Sequence, residues 1–374
     1  MAKLTRKKFL SRAAVTLAGA SVLGGACTDE GPQQQGEGPN IITNKKYRWN
    51  MVTTWPPNFP ILGVGCKEMA EWVKRMSGGR LSIDVFGAGE LVPALESFEA
   101  VSLGTAEMAN GAAYYWAGKV PAAQFFASVP FGMNAQQMTS WIVSGGGQEL
   151  WDEVYKPFDI MGFPAGNTGV QMGGWFNKEI NNLADLKGLK MRIPGLGGKV
   201  LTQAGGTAVN VAGGEIFTNL ERGVIDATEW IGPFHDYTMG FHNIAKYYYY
   251  PGWHEAGTVL ETMVNRQKFE GLPSDLQEIL KTAIYRQSIW TLSEFEARNA
   301  EYLQKIREES SVEIRQFPDE VLNALKELTA TVLQDMCAAD PLVKKVYDSY
   351  SDFQKKAGAW SAFTEEIFYS KLQS

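Results

Sequence analysis

The stretch Tyr47-Arg-Trp-Asn-Met-Val-Thr-Thr54 and the pattern that follows it decide the fold class. The stretch itself predicts a β-strand, and apolar residues at helical spacing over 59–76 predict a helix. The alternating run Leu81-Ser-Ile-Asp-Val-Phe86 predicts a second strand, and a helix over 96–103 and a strand over 106–109 follow. This order predicts an α/β protein whose mainly parallel sheets are flanked by helices. In such sheets, ligands bind beyond the carboxyl ends of the strands.

Length and composition set the broad class. A chain of 374 residues exceeds one typical core, so about two domains are expected. A hydrophobic fraction of 45% excludes a disordered protein. The net charge of −6 provides no basic footprint for nucleic acid. An acidic protein of this kind would have to bind an anion by placing single charges locally.

Residues 1–27 have the three-part plan of an export signal. Arg6-Lys-Lys-Phe-Leu10 precedes the apolar stretch 13–23, which is too short for a membrane-spanning helix. The Arg-Lys pair is similar to a twin-arginine signal with one arginine replaced, so this route and the Sec route both stay open. Cys27 follows small residues and is either the lipid-modified residue of a lipoprotein or an ordinary residue near the cleavage site. The protein is therefore expected in the periplasm.

The segment 28–45 is rich in Gln, Gly and Pro and predicts a flexible tether. Cys66 and Cys337 remain beyond it, and two distant cysteines form no metal motif. We expect them to pack in the core, although a disulfide is an alternative in an oxidising compartment.

The C-terminal third is helical. Residues 275–309 contain no Gly or Pro, and a helix of that length would extend about 50 Å, which is enough to lie along two lobes. Residues 341–374 predict a terminal helix with an apolar and aromatic stripe. This stripe either packs on its own subunit or is exchanged with a second one. Its members are Leu342, Val346, Tyr350, Phe353, Trp360, Phe363, Ile367 and Phe368.

Two polar residues stand in predicted strands at positions that suit the edge of a cleft. Gln171 lies in Gly169-Val-Gln-Met-Gly-Gly-Trp-Phe-Asn177, an alternating run. Arg192 lies in Leu189-Lys-Met-Arg-Ile-Pro-Gly195, where a short strand meets a Pro-Gly turn. An arginine there can bind a carboxylate through two parallel hydrogen bonds. The simpler interpretations are a surface arginine and a polar residue on the outer face of a strand.

A second group follows in the chain. Glu229 and Trp230 end the predicted strand Gly223-Val-Ile-Asp-Ala-Thr-Glu-Trp230, and Glu255 follows Tyr-Pro-Gly-Trp-His254. An unpaired carboxylate after an apolar strand is costly to bury, and a bound cation or an ion pair would offset that cost. Glu255 could join a cation, contact a ligand or form a salt bridge. His254 is interpreted as a packed residue, and Tyr115 as part of an aromatic wall or of the core.

The segments around Arg192 and Glu229-Trp230, together with Tyr-Pro-Gly-Trp-His-Glu255, resemble the solute-binding subunits of TRAP (tripartite ATP-independent periplasmic) transporters. The resemblance extends from Tyr47 to the last helix and is greatest to members that bind 2-oxo acids and lactate. It implies a two-lobed fold. Lobe 1 would comprise 46–165, 252–274 and part of 310–340, and lobe 2 would comprise 166–251.

The resemblance also implies roles for the site residues. Arg192 would bind the ligand carboxylate, and Tyr115 would contact the ligand as part of an aromatic wall contributed by the first lobe. Gln171, Glu229, Glu255 and the backbone carbonyl of Trp230 would hold a cation, and Gln171, Trp230 and Glu255 would also contact the ligand. Glu229 stands where calcium-using lactate binders have aspartate, so Na⁺ is expected and Ca²⁺ is the alternative. A contact from Glu255 would favour Ca²⁺.

Charge accounting favours a small monocarboxylate, because Arg192 balances one carboxylate and a second would have no evident partner. A 2-oxo or 2-hydroxy group would let the ligand chelate the cation. The expected function is therefore the capture of a pyruvate-like acid and its delivery to membrane permease subunits, by a homodimer and without catalysis. Alternatives are a secreted enzyme acting on a carboxylate and the ligand-binding module of a sensory system. The sequence carries no Gly-x-Ser-x-Gly, His-Glu-x-x-His, P-loop or dinucleotide motif.

Overall fold

The structure, a computed structural model, describes residues 44–372. The predicted export signal over 1–27, Cys27 within it and nearly all of the predicted tether lie outside the described residues. The strands are β1 (Tyr47–Thr53), β2 (Leu81–Phe86), β3 (Met108–Gly111), β4 (Ile160–Asn167), β5 (Gly174–Phe176), β6 (Lys190–Arg192), β7 (Thr207–Val209), β8 (Ala227–Thr228), β9 (Tyr247–Tyr250), β10 (Val259–Asn265) and β11 (Glu313–Gln316).

The α-helices of the described residues lie mainly on the faces of the sheets and in the last hundred residues. They are α1 (Leu62–Met76), α2 (Ser97–Ser102), α3 (Ala135–Ser144), α4 (Gly147–Tyr155), α5 (Gly195–Gln203), α6 (Ile216–Glu221), α7 (Pro233–Thr238), α8 (Arg266–Glu270), α9 (Ser274–Glu309), α10 (Asp319–Ala339), α11 (Pro341–Ser361) and α12 (Glu365–Lys371). Within residues 44–372 no helix combines the length and apolar character needed to cross a bilayer.

Two sheets form the framework, and their flanking helices confirm the predicted two-lobed α/β fold. The first sheet has the order β2-β1-β3-β10-β4, with β1 parallel to β2 and to β3. The second has the order β11-β9-β5-β8-β6-β7. Both sheets are mixed but mainly parallel as predicted, because every strand runs in the same direction except β10 in the first sheet and β5 in the second. In the first sheet, β10 returns from the second sheet and runs antiparallel to β3 and β4.

The elements with strong local patterns match their predictions closely. Strand β1 ends at Thr53 and β2 spans the predicted residues. Helix α9 runs from Ser274 to Glu309 and is about 54 Å long at 1.5 Å per residue. It packs against β4 and α1 beside the first sheet and against α7 beside the second. The helix therefore extends along both sheets, as its length predicted.

Two of the longer predicted strands are wrong in extent. The strand predicted over 169–177 is reduced to β5. Gly169 has a φ of +69°, and Gly174 has a φ of +119° with the Thr228 carbonyl so close that a Cβ would lie 2.6 Å from it. Residues 168–173 thus form an irregular crossover between the sheets. The strand predicted over 223–230 is reduced to β8, which leaves Glu229 just beyond its end.

A second crossover brings the chain back to the first sheet through residues 251–258. The two crossovers are hydrogen-bonded to each other: Thr168 N donates to Thr258 O at 3.0 Å, and Gly252 N donates to Gln171 O at 2.9 Å. Segment 313–316, in contrast, adds β11 to the second sheet beside β9. The exact lobe boundaries given above stay a prediction.

The C-terminal stripe divides into a buried and an exposed half. Val343, Val346 and Tyr350 of α11 are fully buried in the chain's own core, and the Tyr350 hydroxyl accepts a hydrogen bond from Met133 N at 2.9 Å. Trp360 is 67% exposed and Phe363 84% exposed. The first half therefore packs within the subunit, as the simpler interpretation expected, and the second half has no partner within residues 44–372. Cys66 and Cys337 are both free thiols.

Candidate functional site

Arg192 and Glu229 lie side by side because their strands are neighbours. Strand β6 runs parallel to β8 with Arg192 opposite Thr228, so Glu229 follows at the same carboxyl edge. Both side chains are buried, at 1% and 0% exposure, and Arg192 Nη1 forms an ion pair with Glu229 Oε1. The ion-pair interpretation of Glu229 therefore holds in this structure, with Arg192 as the partner.

Burial sets the electrostatics of this pair. Desolvation raises the pKa of Glu229, and the Arg192 guanidinium opposes that rise. Desolvation alone would lower the pKa of Arg192, but the Glu229 carboxylate and the neighbouring tyrosines more than offset it, so its pKa is raised. A buried pair of this kind is costly to split unless new partners replace both halves. An anion for Arg192 and a cation for Glu229 would be such partners.

Gln171 and Glu255 face the pair from the two crossovers. Gln171 Nε2 donates to Glu255 Oε2 at 2.7 Å and to Thr168 Oγ1 at 3.1 Å. Thr258 Oγ1 donates to Glu255 Oε2 as well. Both threonines are buried and neither was expected from the sequence. The two threonines fix the orientation of Gln171 and Glu255. This role becomes visible only when the two crossovers are seen to pair through hydrogen bonds, because no local sequence pattern signals it.

Two oxygens of the site are left without hydrogen bonds. Within residues 44–372, Gln171 Oε1 and Glu229 Oε2 are buried atoms that accept none. Buried acceptors without partners are uncommon and costly. Ligand atoms of Glu229, His254 and Glu255 also lie within 4.8 Å of one another. Converging carboxylate and amide oxygens are the ligands that Na⁺ and Ca²⁺ prefer, so the residues present fit a cation.

Aromatic side chains close the other side of the site. The Arg192 guanidinium lies 5.2 Å from the Trp230 ring, and Arg192 Nη2 donates to the Tyr115 hydroxyl at 3.4 Å. Trp55 packs edge-to-face against both Tyr115 and Trp230, with ring centroids 6.3 Å apart in each case. Tyr115 therefore packs in an aromatic cluster beside Arg192, which agrees with the first of the two interpretations given for it. The placement of Trp55 before Pro56 at the end of β1 was the only sequence signal for its position.

The turn that contains Tyr115 is supported by hydrogen bonds to the buried carboxylate of Glu261. Glu261 of β10 accepts hydrogen bonds from Trp116 Nε1 and from the Tyr155 hydroxyl. Burial raises the pKa of Glu261 to about 7 despite these two donors. Trp116 belongs to the same 3₁₀ turn as Tyr115, Ala113–Trp116. Glu261 thus contributes to the position of the aromatic wall without lying in the site.

A cavity of about 560 Å³ adjoins the aromatic wall. Tyr114 and Tyr115 line one side of it, and residues of α5 such as Gly195 and Lys199 line the other. Gly195 has a φ of +60°, and a Cβ there would lie 2.8 Å from Tyr114. This glycine therefore permits the close approach of α5 to the wall. The site residues Gln171, Arg192, Glu229 and Glu255 are all buried next to the cavity's tyrosines rather than exposed in it.

The sequence-predicted residues thus come together in one buried site. Tyr115, Arg192, Glu229 and Trp230 form one side, and Gln171 and Glu255 the other. Trp175 of β5, in contrast, lies outside this site: its Nε1 donates to Asp236 and its ring stacks on Tyr248 with centroids 3.9 Å apart. It is a core residue.

Comparison with known proteins identifies the class. The family model described as bacterial extracellular solute-binding protein, family 7, matches residues 51–340. The monocarboxylate 2-oxoacid-binding periplasmic protein of Nostoc sp. PCC 7120 is 39% identical over 371 residues, which cover 99% of this chain and 99% of that protein.

Solved structures give the same result. A TRAP periplasmic solute-binding protein from Pseudoalteromonas atlantica, with bound sodium and pyruvate, is 44% identical, with a TM-score of 0.86 over 87% of this chain and 99% of that one. One from Colwellia psychrerythraea, with bound calcium and pyruvate, is 44% identical with a TM-score of 0.85 over the same shares. One from Bordetella bronchiseptica, a mixed-occupancy dimer with copurified calcium and picolinate in one site, is 36% identical with a TM-score of 0.85 over 87% and 97%. The chain therefore belongs to family 7 of the bacterial extracellular solute-binding proteins, the solute-binding proteins of TRAP transporters.

Proposed function

We propose that this protein captures a short 2-oxo or 2-hydroxy monocarboxylate, with pyruvate as the reference ligand, together with a cation. The observation that carries the proposal is the buried Arg192–Glu229 pair beside the unpartnered oxygen of Gln171. The Arg192 guanidinium is complementary to an anion. The carboxylate and amide oxygens next to it are complementary to a metal ion. Relatives with 44% identity bind pyruvate with sodium or calcium.

Arg192 takes the ligand carboxylate with its two-pronged guanidinium, and the Tyr115 hydroxyl adds a donor on the same side. Gln171, Glu229, Glu255 and the backbone carbonyl of Trp230 would hold the cation, which supplies positive charge for the ligand's 2-oxygen. The Trp55 and Trp230 rings exclude water, which strengthens every charged contact inside. The ligand is also contacted by Gln171, Trp230 and Glu255.

Charge balance bears on the identity of the cation. Arg192, Glu229, Glu255 and a monocarboxylate sum to −2 when all are ionised. A divalent ion brings the sum to zero, whereas Na⁺ leaves −1. The glutamate at position 229 keeps Na⁺ as the expected ion, with Ca²⁺ as the alternative.

The biological role is delivery of the bound acid to the membrane permease subunits of a TRAP transporter, without turnover. The two sheets and the crossovers 168–173 and 251–258 would form two lobes that close on the ligand by a hinge motion. The exposed aromatic residues after Trp360 would meet a second subunit in a homodimer. Export would follow the signal over 1–27.

Isothermal calorimetry against a panel of acids tests this function. We expect pyruvate and other short 2-oxo monocarboxylates to bind most tightly and to be recovered unchanged. Tighter binding of dicarboxylates, amino acids or sugars would contradict the ligand class. Conversion of any acid by the purified protein would instead favour the secreted enzyme.

A further inference from the structure

The indole ring of Trp230 is held both at its edge and at its nitrogen. A Cβ added at Gly213 would lie 2.5 Å from Trp230 Cη2, so the ring packs directly against the Gly213 backbone. Trp230 Nε1 donates to His235 Nδ1 at 3.3 Å. The ring is buried and lies 5.2 Å from the Arg192 guanidinium. The position of this ring therefore controls how much water reaches Arg192.

His235 connects Trp230 to a segment that follows the other sheet. His235 lies in α7, after β8 of the second sheet, and its side chain is fully buried. Its Nε2 lies 2.9 Å from the carbonyl oxygen of Pro60, which belongs to the strap, residues 54–61, between β1 of the first sheet and α1. Burial lowers the pKa of His235 to about 3 and so keeps the ring neutral. A neutral imidazole has one acceptor and one donor, so Nδ1 accepts from Trp230 and Nε2 donates to Pro60.

Aromatic packing follows the same path as the hydrogen bonds. Phe59 of the strap packs edge-to-face on His235 with centroids 4.8 Å apart and on Trp230 with centroids 6.0 Å apart. Phe295 of α9 also packs edge-to-face on His235, with centroids 4.8 Å apart. The imidazole thus has ring contacts with the strap and with the helix that extends along both sheets.

The strap has a backbone conformation that is rarely adopted without support. Ile61 has a φ of +56°, which is unfavourable for a β-branched residue. Phe59 O accepts a hydrogen bond from Val64 N of α1 at 3.0 Å, which ties the strap to the start of that helix. Such a conformation persists where the surrounding contacts determine it. The Pro60 carbonyl is therefore an acceptor in a fixed place.

We infer that His235 is a positioning residue for solute capture, which relates the strap to the Trp230 ring. The inference rests on the proposed function, because that function places Trp230 in the solute site. His235 acts on the solute through Trp230 and not by direct contact. A ring held in this place keeps water from Arg192, and the guanidinium then binds a carboxylate more strongly. Because the strap follows the first sheet and His235 the second, the chain of hydrogen bonds is complete only in the arrangement of the two sheets seen here.

The test separates the two hydrogen bonds of His235 in the full mature protein. His235→Leu removes both. His235→Asn keeps an acceptor near the place of Nδ1, and His235→Gln keeps a donor near the place of Nε2. His242→Gln is the matched control, because His242 is a half-buried histidine that stacks on Tyr237 outside the site. Calorimetry gives the affinity for pyruvate in Na⁺ and in Ca²⁺, and thermal unfolding without solute gives the melting temperature.

We expect His235→Leu to weaken pyruvate binding by about tenfold, which is the scale of one to two net hydrogen bonds. His235→Asn should bind pyruvate more tightly than His235→Gln, because only Asn keeps the bond to Trp230. This order should hold whichever of the two variants has the higher melting temperature. His242→Gln should bind as wild type does.

The indole N–H resonance of Trp230 gives a direct measure of the hydrogen bond. It is assigned by its absence in Trp230→Phe. We expect it to move upfield in His235→Leu and His235→Gln, where the indole loses its acceptor, and to move less in His235→Asn.

Wild-type affinity in His235→Leu, or affinities that follow the melting temperature alone across the three variants, would overturn the inference. If His235→Leu does not fold, the comparison of Asn with Gln decides in the same way. Absent pyruvate binding in wild type would contradict the proposed function. The Trp230 resonance is measured independently of pyruvate, and an unmoved resonance in His235→Gln would overturn the role of His235.

Discussion

Gln171 and Glu255 are joined twice, through the backbone and through their side chains. Gln171 N donates to Glu255 O at 3.1 Å, and Gln171 Nε2 donates to Glu255 Oε2 at 2.7 Å. The two residues come from different crossovers, so this double contact ties the segments that connect the two sheets. Any ligand that binds these side chains therefore contacts the segments that connect the two sheets. Capture of the solute and closure of the protein are thereby expected to be coupled.

Replacing Arg192 by Ala should lower pyruvate affinity by about 2–4 kcal/mol, because the ligand carboxylate would be desolvated without a partner. Arg192→Lys should recover only part of this loss, since a point charge cannot reproduce two parallel hydrogen bonds. Calorimetry measures both. An Ala variant that binds pyruvate as tightly as wild type would show that Arg192 has only a structural role, as the ion-pair partner of Glu229.

The ion pair supplies a control for that measurement. Arg192→Ala also leaves Glu229 as an unpaired buried carboxylate, which should destabilise the fold by about 3–5 kcal/mol. The double variant Arg192→Ala, Glu229→Gln should regain much of this stability in a denaturant titration but should still fail to bind pyruvate. If the double variant bound pyruvate, the loss of affinity in Arg192→Ala would be due to destabilisation of the fold and not to the loss of a contact with the ligand.

Ligand binding should require a cation. Dialysis into a chelator-treated choline buffer should weaken pyruvate binding, and Na⁺ or Ca²⁺ should restore it, because Gln171 Oε1 and Glu229 Oε2 would otherwise face the solute without partners. Glu229→Gln should reduce this response, and Glu68→Gln on the exposed face of α1 is a surface control. Pyruvate affinity that is equal in the stripped and the supplemented buffer would mean that no cation takes part.

Glu261 should make the stability of the protein depend on pH. Burial raises its pKa from 4.5 to about 7, so the folded protein holds this proton more tightly than the unfolded chain does. Its penalty is absent below pH about 4.5 and grows as the pH rises through about 7, reaching on the order of a few kcal/mol. The melting temperature of wild type should therefore fall more between pH 5 and pH 8 than that of Glu261→Gln. Parallel pH profiles for the two proteins would refute this assignment.

The sequence predicted those parts of the fold that depend on local patterns. The alternation in β1 and the absence of Gly and Pro over 275–309 suffice for their elements. The strand predicted around Gln171 was wrong in extent, although the apolar alternation of that segment is real. Gly169 and Gly174 turn the chain, and Thr168 and Gln171 form backbone hydrogen bonds with residues 251–258 instead of with a neighbouring strand. Long-range pairing of that kind leaves no local periodicity.

In the site, too, the sequence predicted the features that have a local signal and missed those that depend on long-range pairing. The types and positions of Arg192 and Glu229 indicated an anion and a cation, and the structure brings them together. Their direct ion pair depends on β6 lying next to β8, which the sequence does not encode locally. His254 was interpreted as a packed residue, and it is packed, but its unpartnered nitrogens could be recognised only once Glu229 and Glu255 lay beside it.

The exposed half of the C-terminal stripe should hold a homodimer. Truncation after Ser361 removes Phe363, Ile367 and Phe368, which are 84%, 47% and 45% exposed, and keeps the buried Tyr350 with its hydrogen bond to Met133. We expect a folded monomer with a nearly unchanged melting temperature, because the removed residues contribute little to the subunit's own core. A deletion from Asp340 onwards, in contrast, should aggregate, since it uncovers the surface that Val343 and Val346 bury. Light scattering coupled to gel filtration distinguishes the two. Full-length protein that stays monomeric at tens of micromolar, or truncated protein that stays dimeric, would contradict dimerisation through this surface and leave the binding site unaffected.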